Sequence, residues 1–402
     1  MSATRAPDAA LPLAGIRVID LTQVVAGPYC TMLLADMGAE VVKIERSGHG
    51  DDLRRTVPYK GREGHQDYFN ALNRSKKSVA FNLKDEHDRA LALQLIERAD
   101  VVVENFSPGT VDRLGVGWEA VHARNPRLIY CALSGFGQTG PYRNRPALDP
   151  IIQAVTGIMS VTGEADRDPM MVGAPLADVI AGMFAAYAIV NALRLVTPEG
   201  GGQYIDISMQ DALLAAVGTR MGETLQAGVV PGRLGNGNPL RVPANTYKTA
   251  DGRHISLMVH DQAQWPPFCR AVAMESWLDD ERFRTMPLRL ANRKDMDDAV
   301  AQRLAAHDAR YWHERFEAHG IPHALVNDYA GALDDPQAVH RGIVREIDHP
   351  ASGKIKVVGP PWQMSAMPTP IAPPPLLGQH TQAVLDDWLG SRDASAPAPN
   401  NN

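Results

Sequence analysis

The sequence predicts an α/β fold: an open parallel sheet with helices on both faces, followed by a smaller domain. Short β-branched runs alternate with helical segments through the first half, the rhythm of strands joined by crossover helices. Composition then changes at 228–239, a turn-rich stretch that cannot sit inside a regular element. The richest glycine loop, Ser134-Gly-Phe-Gly-Gln-Thr-Gly-Pro141, directly follows a strand-like run, and open α/β sheets place ligands at the carboxyl ends of their strands.

In order, 16–20 reads as a strand, 29–37 as a helix and 40–44 as the next strand. Strands at 78–81, 100–103 and 128–132 continue the series, with a helix over 85–98, and a strand–helix pair follows at 203–207 and 209–217. Beyond 228–239 come a strand at 255–259, helices over 296–306 and 309–318, and a strand at 322–327. Asp335-Pro-Gln337 starts a helix, 344–347 and 355–358 form a strand pair, and 360–375 is an extended proline-rich connector. Leu377-Gly-Gln-His-Thr381 leads into a short helix ending near Leu389, and the last dozen residues read as a disordered tail. The expected bounds are 1–225, 226–330 and 331–402, without internal repeats.

A formal net charge of -6 argues against a general nucleic-acid binder. Cys30, Cys131 and Cys269 are too few for a disulfide framework, and no CxxC pair suggests zinc, so no metal site is expected. The first ten residues lack the apolar core of a signal peptide, and the apolar stretch after Asp178 is interrupted by Gly182, Tyr187 and Asn191. The expectation is a soluble cytoplasmic protein with neither membrane nor nucleic-acid partners.

A nicotinamide site is disfavoured, because the turn after Asp20 lacks the closely spaced glycines that admit a pyrophosphate. There is also no GxxxxGK[ST] loop and no Gly-x-Ser-x-Gly elbow. Basic and amide groups instead gather near strand ends: Arg46, the Asn73-Arg-Ser-Lys-Lys77 run, and Asn105-Phe-Ser-Pro-Gly109 with Arg113. Such groups suit a ligand with several phosphates and a long arm, which Phe106 and Phe136 could cover. Asp178 stands apart. Pro175 places it in the first turn of an apolar helix, among Ala181, Gly182, Ala185 and Ala186, which leave room for a close backbone or ligand. A carboxylate there is costly unless compensated. The competing reading is a helix-start acid that satisfies free backbone donors.

The motifs Leu13-Ala-Gly-Ile-Arg-Val-Ile-Asp-Leu-Thr-Gln-Val-Val-Ala-Gly-Pro28, Leu34-Ala-Asp-Met-Gly-Ala-Glu-Val-Val-Lys-Ile-Glu-Arg46, Glu104-Asn-Phe-Ser-Pro-Gly109, the 134–141 loop, Gly173-Ala-Pro-Leu-Ala-Asp178 and Leu377-Gly-Gln-His380 occur in one chain. Together they resemble the class III CoA-transferases, the superfamily of formyl-CoA transferase, carnitine CoA-transferase and α-methylacyl-CoA racemase. The resemblance implies a nucleotide-fold domain built from both chain ends, a smaller α+β domain inserted in it, and an interlocked homodimer. It implies Asp178 as catalytic aspartate. It places CoA against Val25, Ala26, Arg46, Asn73, Arg74 and Lys76, and against Asn105, Phe106, Arg113, Gly135 and Phe136. CoA and acyl-CoA would be substrates, with no tightly bound cofactor. The family's mobile glycine loop corresponds to 233–239, where isolated glycines replace the unbroken run of formyl-CoA transferases, so formate and oxalate lose ground.

A racemase needs a second acid/base group across the α-carbon, a histidine in that branch; the matching segment here is Pro146-Ala-Leu-Asp149, with Leu148 in the histidine's place. The expectation is therefore transfer of CoA, through aspartyl anhydride and aspartyl-CoA thioester intermediates, from succinyl-CoA to a C4–C5 dicarboxylate. Amides at Gly135, Gly137, Gly235, Asn236 and Gly237 are oxyanion candidates, and Arg233 or Arg241 a carboxylate partner. A 2-methylacyl-CoA racemase, an intramolecular CoA shift and a non-catalytic CoA-binding homologue are the alternatives.

Overall fold

In the computed structural model of the chain, residues 11–56, 65–365 and 371–390 are described. The expected C-terminal tail and the middle of the proline-rich connector lie outside them. The chain divides into two compact units. The first holds the described residues up to Gly157, Val172–Leu225 and those from His340 onward; the second holds Ile158–Met171 and Gln226–Val339.

Six parallel strands form the first unit's sheet: β1 (Arg17–Asp20), β2 (Glu40–Arg46), β3 (Lys76–Phe81), β4 (Val101–Glu104), β5 (Ile129–Ser134) and β6 (Gln203–Ser208). Their spatial order is β3-β2-β1-β4-β5-β6. The order reverses between β1 and β4, which pair in parallel through Val18 and Val101. At such a switch point the following loops open a crevice. Central strands bury both faces, as the runs Val101-Val-Val and Ile129-Tyr-Cys-Ala-Leu require.

One face carries the helix Glu86–Glu97, whose Leu91, Ala92, Leu95 and Ile96 pack on Ile19, Val42, Val79 and Val102. Val384, Leu385 and Trp388 of the last helix, Thr381–Leu389, join the same core. The returning chain also bonds to β3: the His380 amide donates to the Ser78 carbonyl at 2.9 Å and the Ala80 amide to Thr381 Oγ1 at 3.1 Å. The other face carries Ala26–Asp36 and Leu176–Ala192. These helices approach so closely that a Cβ on Gly182 would lie 2.5 Å from the Ala26 carbonyl oxygen. The small residues flanking Asp178 thus admit a backbone.

The second unit has an antiparallel sheet of Ala244–Lys248, His254–Met258 and His323–Leu325 over a core of Trp265, Phe268, Phe316 and Trp312. The first of these strands was not expected. Asn245 and Thr246 obscure its pattern, although Tyr247 is buried and its hydroxyl bonds Asp297.

Candidate active site

At the switch point the side chain of Asn105 bridges the two diverging loops. Its Oδ1 accepts from the Gln23 amide and its Nδ2 donates to the Gln23 carbonyl, both at 2.8 Å. This doubly bonded amide holds open a cleft of ≈ 530 Å³ whose walls include Gln23, Arg46, Lys84 and Phe106. An adjoining hollow of ≈ 220 Å³ shares Phe106 and is lined by Asn105, Gly135, Phe136, Arg143 and Arg145. Arg113 lies beside it: a Cβ on Gly109 would stand 3.4 Å from Arg113 Nη1 and 3.8 Å from Arg143 Nη2. Two guanidinium groups therefore converge on one turn. Lys84, Arg143 and Arg145 were missed from the sequence, although Tyr142-Arg-Asn-Arg145 directly follows the glycine loop. The Phe106 amide donates to Glu104 Oε2 at 2.7 Å. Burial, reinforced by Asp112 and Asp206, pushes the Glu104 carboxyl up to about 8.

Below the cleft lies a buried charge network. Burial alone would raise Asp20, but Lys43, Lys76 and the hydroxyls of Thr22 and Thr31 outweigh it and hold the carboxyl at about 2. Lys43 Nζ is 3.0 Å from Asp51 Oδ2, and Arg54 Nε is 2.7 Å from Glu45 Oε2. Asp51 Oδ1 accepts from the Val24 amide at 3.2 Å. Val24 has φ 66, a costly value for a β-branched residue, so the network beneath it holds the loop entering Ala26–Asp36 in a strained conformation. Val25 is that helix's N-cap, and Ala26 is buried at its start.

The 73–76 turn differs from the expectation. Arg74 Nε donates to Asp36 Oδ1 at 2.9 Å, and Lys76 Nζ bonds Asp20 Oδ2, the Pro28 carbonyl and Asn73 Oδ1. Asn73 Nδ2 donates to the Phe69 carbonyl. These three side chains are buried and committed inside the fold, so they do not form a phosphate-binding patch. Arg46 and Arg113 remain exposed at strand ends.

Asp178 lies in the first turn of Leu176–Ala192, where no side chain of the helix caps the start. The free donors are taken by a different acid. Asp149 Oδ1 accepts from the Ala177 amide at 2.7 Å and the Asp178 amide at 3.3 Å, while its Oδ2 accepts from Gln153 Nε2 at 2.6 Å. Gln153 is itself anchored by the Val172 amide at 2.8 Å. Asp149 thus fills the capping role that the sequence offered to Asp178. The Asp178 carboxylate has no hydrogen-bond partner among the described residues, and burial, with Asp149 adding repulsion, pushes it up to about 7. Asp149 opens the helix Asp149–Val155, two residues beyond Ala147 on the wall of the smaller hollow. Leu148, between them, is 70% exposed.

The loop residues of the second unit are partly committed. The Gly235 amide donates to the Gly163 carbonyl and the Gly237 amide to the Leu234 carbonyl, both at 2.9 Å, so neither is a free oxyanion donor here. Arg233 bonds the carbonyls of Glu164 and Arg167. Arg241 Nη1 bonds the Leu240 carbonyl, while its buried Nε has no partner. Asn236 is exposed and lines a hollow of ≈ 380 Å³ within this unit. In the first unit, Gly137 adopts φ 85, the Gln138 amide donates to Asp206 Oδ2 at 2.9 Å, and Gly135 lines the smaller hollow.

A doubly wound sheet with a basic, aromatic-edged crevice at its switch point and an uncapped, perturbed carboxylate defines a ligand-binding α/β protein equipped for group transfer. The chain belongs to CoA-transferase family III, whose model matches residues 13–381, and it is an enzyme of the class III CoA-transferases. It is 37% identical to mouse (Mus musculus) succinyl-CoA:glutarate CoA-transferase, over 95% of this chain and 87% of that protein. It is 36% identical to succinyl-CoA:mesaconate CoA-transferase of Haloarcula marismortui, over 92% of this chain and 95% of that one. A CAIB/BAIF family protein from Brucella suis has a similar structure, with TM-score 0.84 and 32% identity over 94% of this chain and 100% of that one.

Proposed function

We propose that the enzyme moves CoA from succinyl-CoA to a C4–C5 dicarboxylate, with Asp178 as covalent relay. The observation that carries this reading is the division of labour between two acids: Asp149 satisfies the helix start, and Asp178 is left unpaired and unusually basic. A carboxylate of raised basicity is a better nucleophile once ionised. Asp178 attacks the donor thioester carbonyl, forming a mixed anhydride and expelling CoA thiolate. The thiolate attacks the aspartyl carbonyl, giving an aspartyl-CoA thioester and releasing the donor acid. The acceptor carboxylate attacks that thioester, and the thiolate then takes the acceptor acyl group and frees Asp178. Each thioester is exchanged for another, so no ATP is consumed.

Arg46, Arg113, Arg143 and Lys84 supply the charge for the phosphates, and Phe106 and Phe136 the apolar cover for the ligand arm. Leu148 offers no proton-transfer group, which weighs against racemisation. Relatives acting with succinyl-CoA on glutarate and mesaconate support the dicarboxylate class, and Arg241, with an unpartnered Nε, is our candidate for the distal carboxylate. Asn236, and the amides of Gly135 and Gly137, are the remaining oxyanion candidates. The helix Leu176–Ala192 exposes Met183, Phe184, Tyr187 and Val190. We assign this apolar face to a second copy of the chain in an interlocked dimer, and the three buried free thiols fit a cytoplasmic setting. The test is a donor–acceptor matrix, succinyl-CoA against a panel of mono- and dicarboxylic acids read by mass spectrometry. Turnover confined to C4–C5 dicarboxylates is expected, and equal turnover of monocarboxylates would overturn the substrate assignment.

A further inference from the structure

The second unit carries a cluster that CoA transfer does not use. His313 and Glu317 stand one turn apart on the helix Ala309–Ala318, so both project from one face. His323 opens the neighbouring strand, His323–Leu325. Candidate ligand atoms of the three side chains all lie within 4.8 Å of one another. We propose that His313, Glu317 and His323 bind one divalent transition ion, of the zinc type, at the surface of this unit.

The hydrogen bonding supports that use. His323 Nδ1 is 2.7 Å from the Ile321 carbonyl oxygen. A carbonyl only accepts, so Nδ1 holds the proton and the lone pair of His323 lies on Nε2. That nitrogen is 2.8 Å from His313 Nδ1. An imidazole whose far nitrogen is tied to a backbone carbonyl is the arrangement that orients metal-bound histidines. The Phe316 ring, 5.4 Å from that of His323, further limits its rotation.

An ion would replace the contact between the two rings. Zinc–nitrogen bonds of about 2.0–2.1 Å at tetrahedral angles put two nitrogens roughly 3.3 Å apart, so the rings must separate by about half an ångström. His313 must also carry its proton on Nε2. Its exposed position permits both changes. Glu317 supplies the third ligand and water the fourth. Two imidazoles and a carboxylate suit zinc and cobalt better than magnesium or calcium. The ion would tie the helix to the strand across the 319–322 turn and stabilise the unit by mass action.

The test uses tag-free, full-length protein stripped with chelator and then titrated with Zn2+ by calorimetry and with Co2+ by visible absorption. One ion per chain, tetrahedral-type cobalt bands and an upward shift of the melting temperature with Zn2+ are expected. His323→Ala and Glu317→Gln should each weaken binding by at least roughly 10–100-fold, the loss that even outer partners of a metal site cause. Circular dichroism without metal establishes that both variants are folded. Failure of the wild type to bind below millimolar Zn2+, or unchanged binding by folded His323→Ala, overturns the proposal.

Discussion

Replacing Asp178 by Asn should stabilise the folded protein above pH 7 while abolishing transfer. The carboxyl is raised from the ordinary 3.8 to about 7, first by burial and then by Asp149. At about 1.4 kcal/mol per pKa unit, the ceiling on the cost of keeping it ionised is about 4 kcal/mol. Water shares the charge of this part-buried group, and the helix N-terminus favours an anion by about 0.3–1 kcal/mol. About 1–3 kcal/mol remains. The folded state binds this proton more tightly than the unfolded chain does. The group's stabilising contribution is therefore full below about pH 4 and is lost as pH rises through about 7. Asn suffers no such loss, so the advantage of Asp178→Asn should grow between pH 4 and 7 and level off above. Urea midpoints of both proteins at pH 4.5, 6 and 8, at fixed ionic strength and concentration, read this directly. A difference that does not change with pH, or a wild type favoured at pH 8, would refute the account of Asp178 as an uncompensated carboxylate.

Three further outcomes follow from the same geometry. The acid limb of kcat/KM should fall below about pH 7, because protonated Asp178 cannot attack; a pH–rate profile whose limb lies near pH 4 contradicts this. Asp51→Ala should destabilise the protein by about 1–3 kcal/mol by removing one of the partners of buried Lys43, which keeps Asp20 and the Thr22 carbonyl, and should raise KM for acyl-CoA by freeing the Val24 loop; Asp51→Asn, which retains an acceptor for the Val24 amide, should disturb KM less in the folded fraction. Arg113→Ala and Arg143→Ala should each weaken CoA binding by about 1–3 kcal/mol with a shallower salt dependence, measured by calorimetry at two ionic strengths.

Sheet strands were legible because each is a short run rich in β-branched residues, buried on both faces in the central strands, whose identity depends on its own residues. Side-chain commitments were not, because they depend on distant partners. Arg74 and Lys76 read as a basic patch, yet Asp36 and Asp20, supplied by other elements, draw them inside. Asp149 is an ordinary acid in sequence, and its role emerges only when it meets the start of a helix 28 residues later. Asp178 was legible as a helix-start acid or a relay, and the non-local cap shows that the helix-start donors are met by Asp149 instead. The amides of Gly235 and Gly237 looked free in a glycine-containing loop, but Gly163 and Leu234 provide acceptors for them. The strand Ala244–Lys248 was hidden by Asn245 and Thr246, whose polar side chains interrupt its alternation.

The covalent relay can be read from oxygen atoms. When an acceptor acid labelled with 18O in its carboxylates is turned over with succinyl-CoA, each cycle through the anhydride leaves one acceptor oxygen on Asp178. Digestion and mass spectrometry after a few turnovers should find 18O in the peptide containing Asp178 and in no other acidic peptide, and label should then appear in succinate released by later turnovers. Complete turnover with an unlabelled Asp178 peptide would contradict the account.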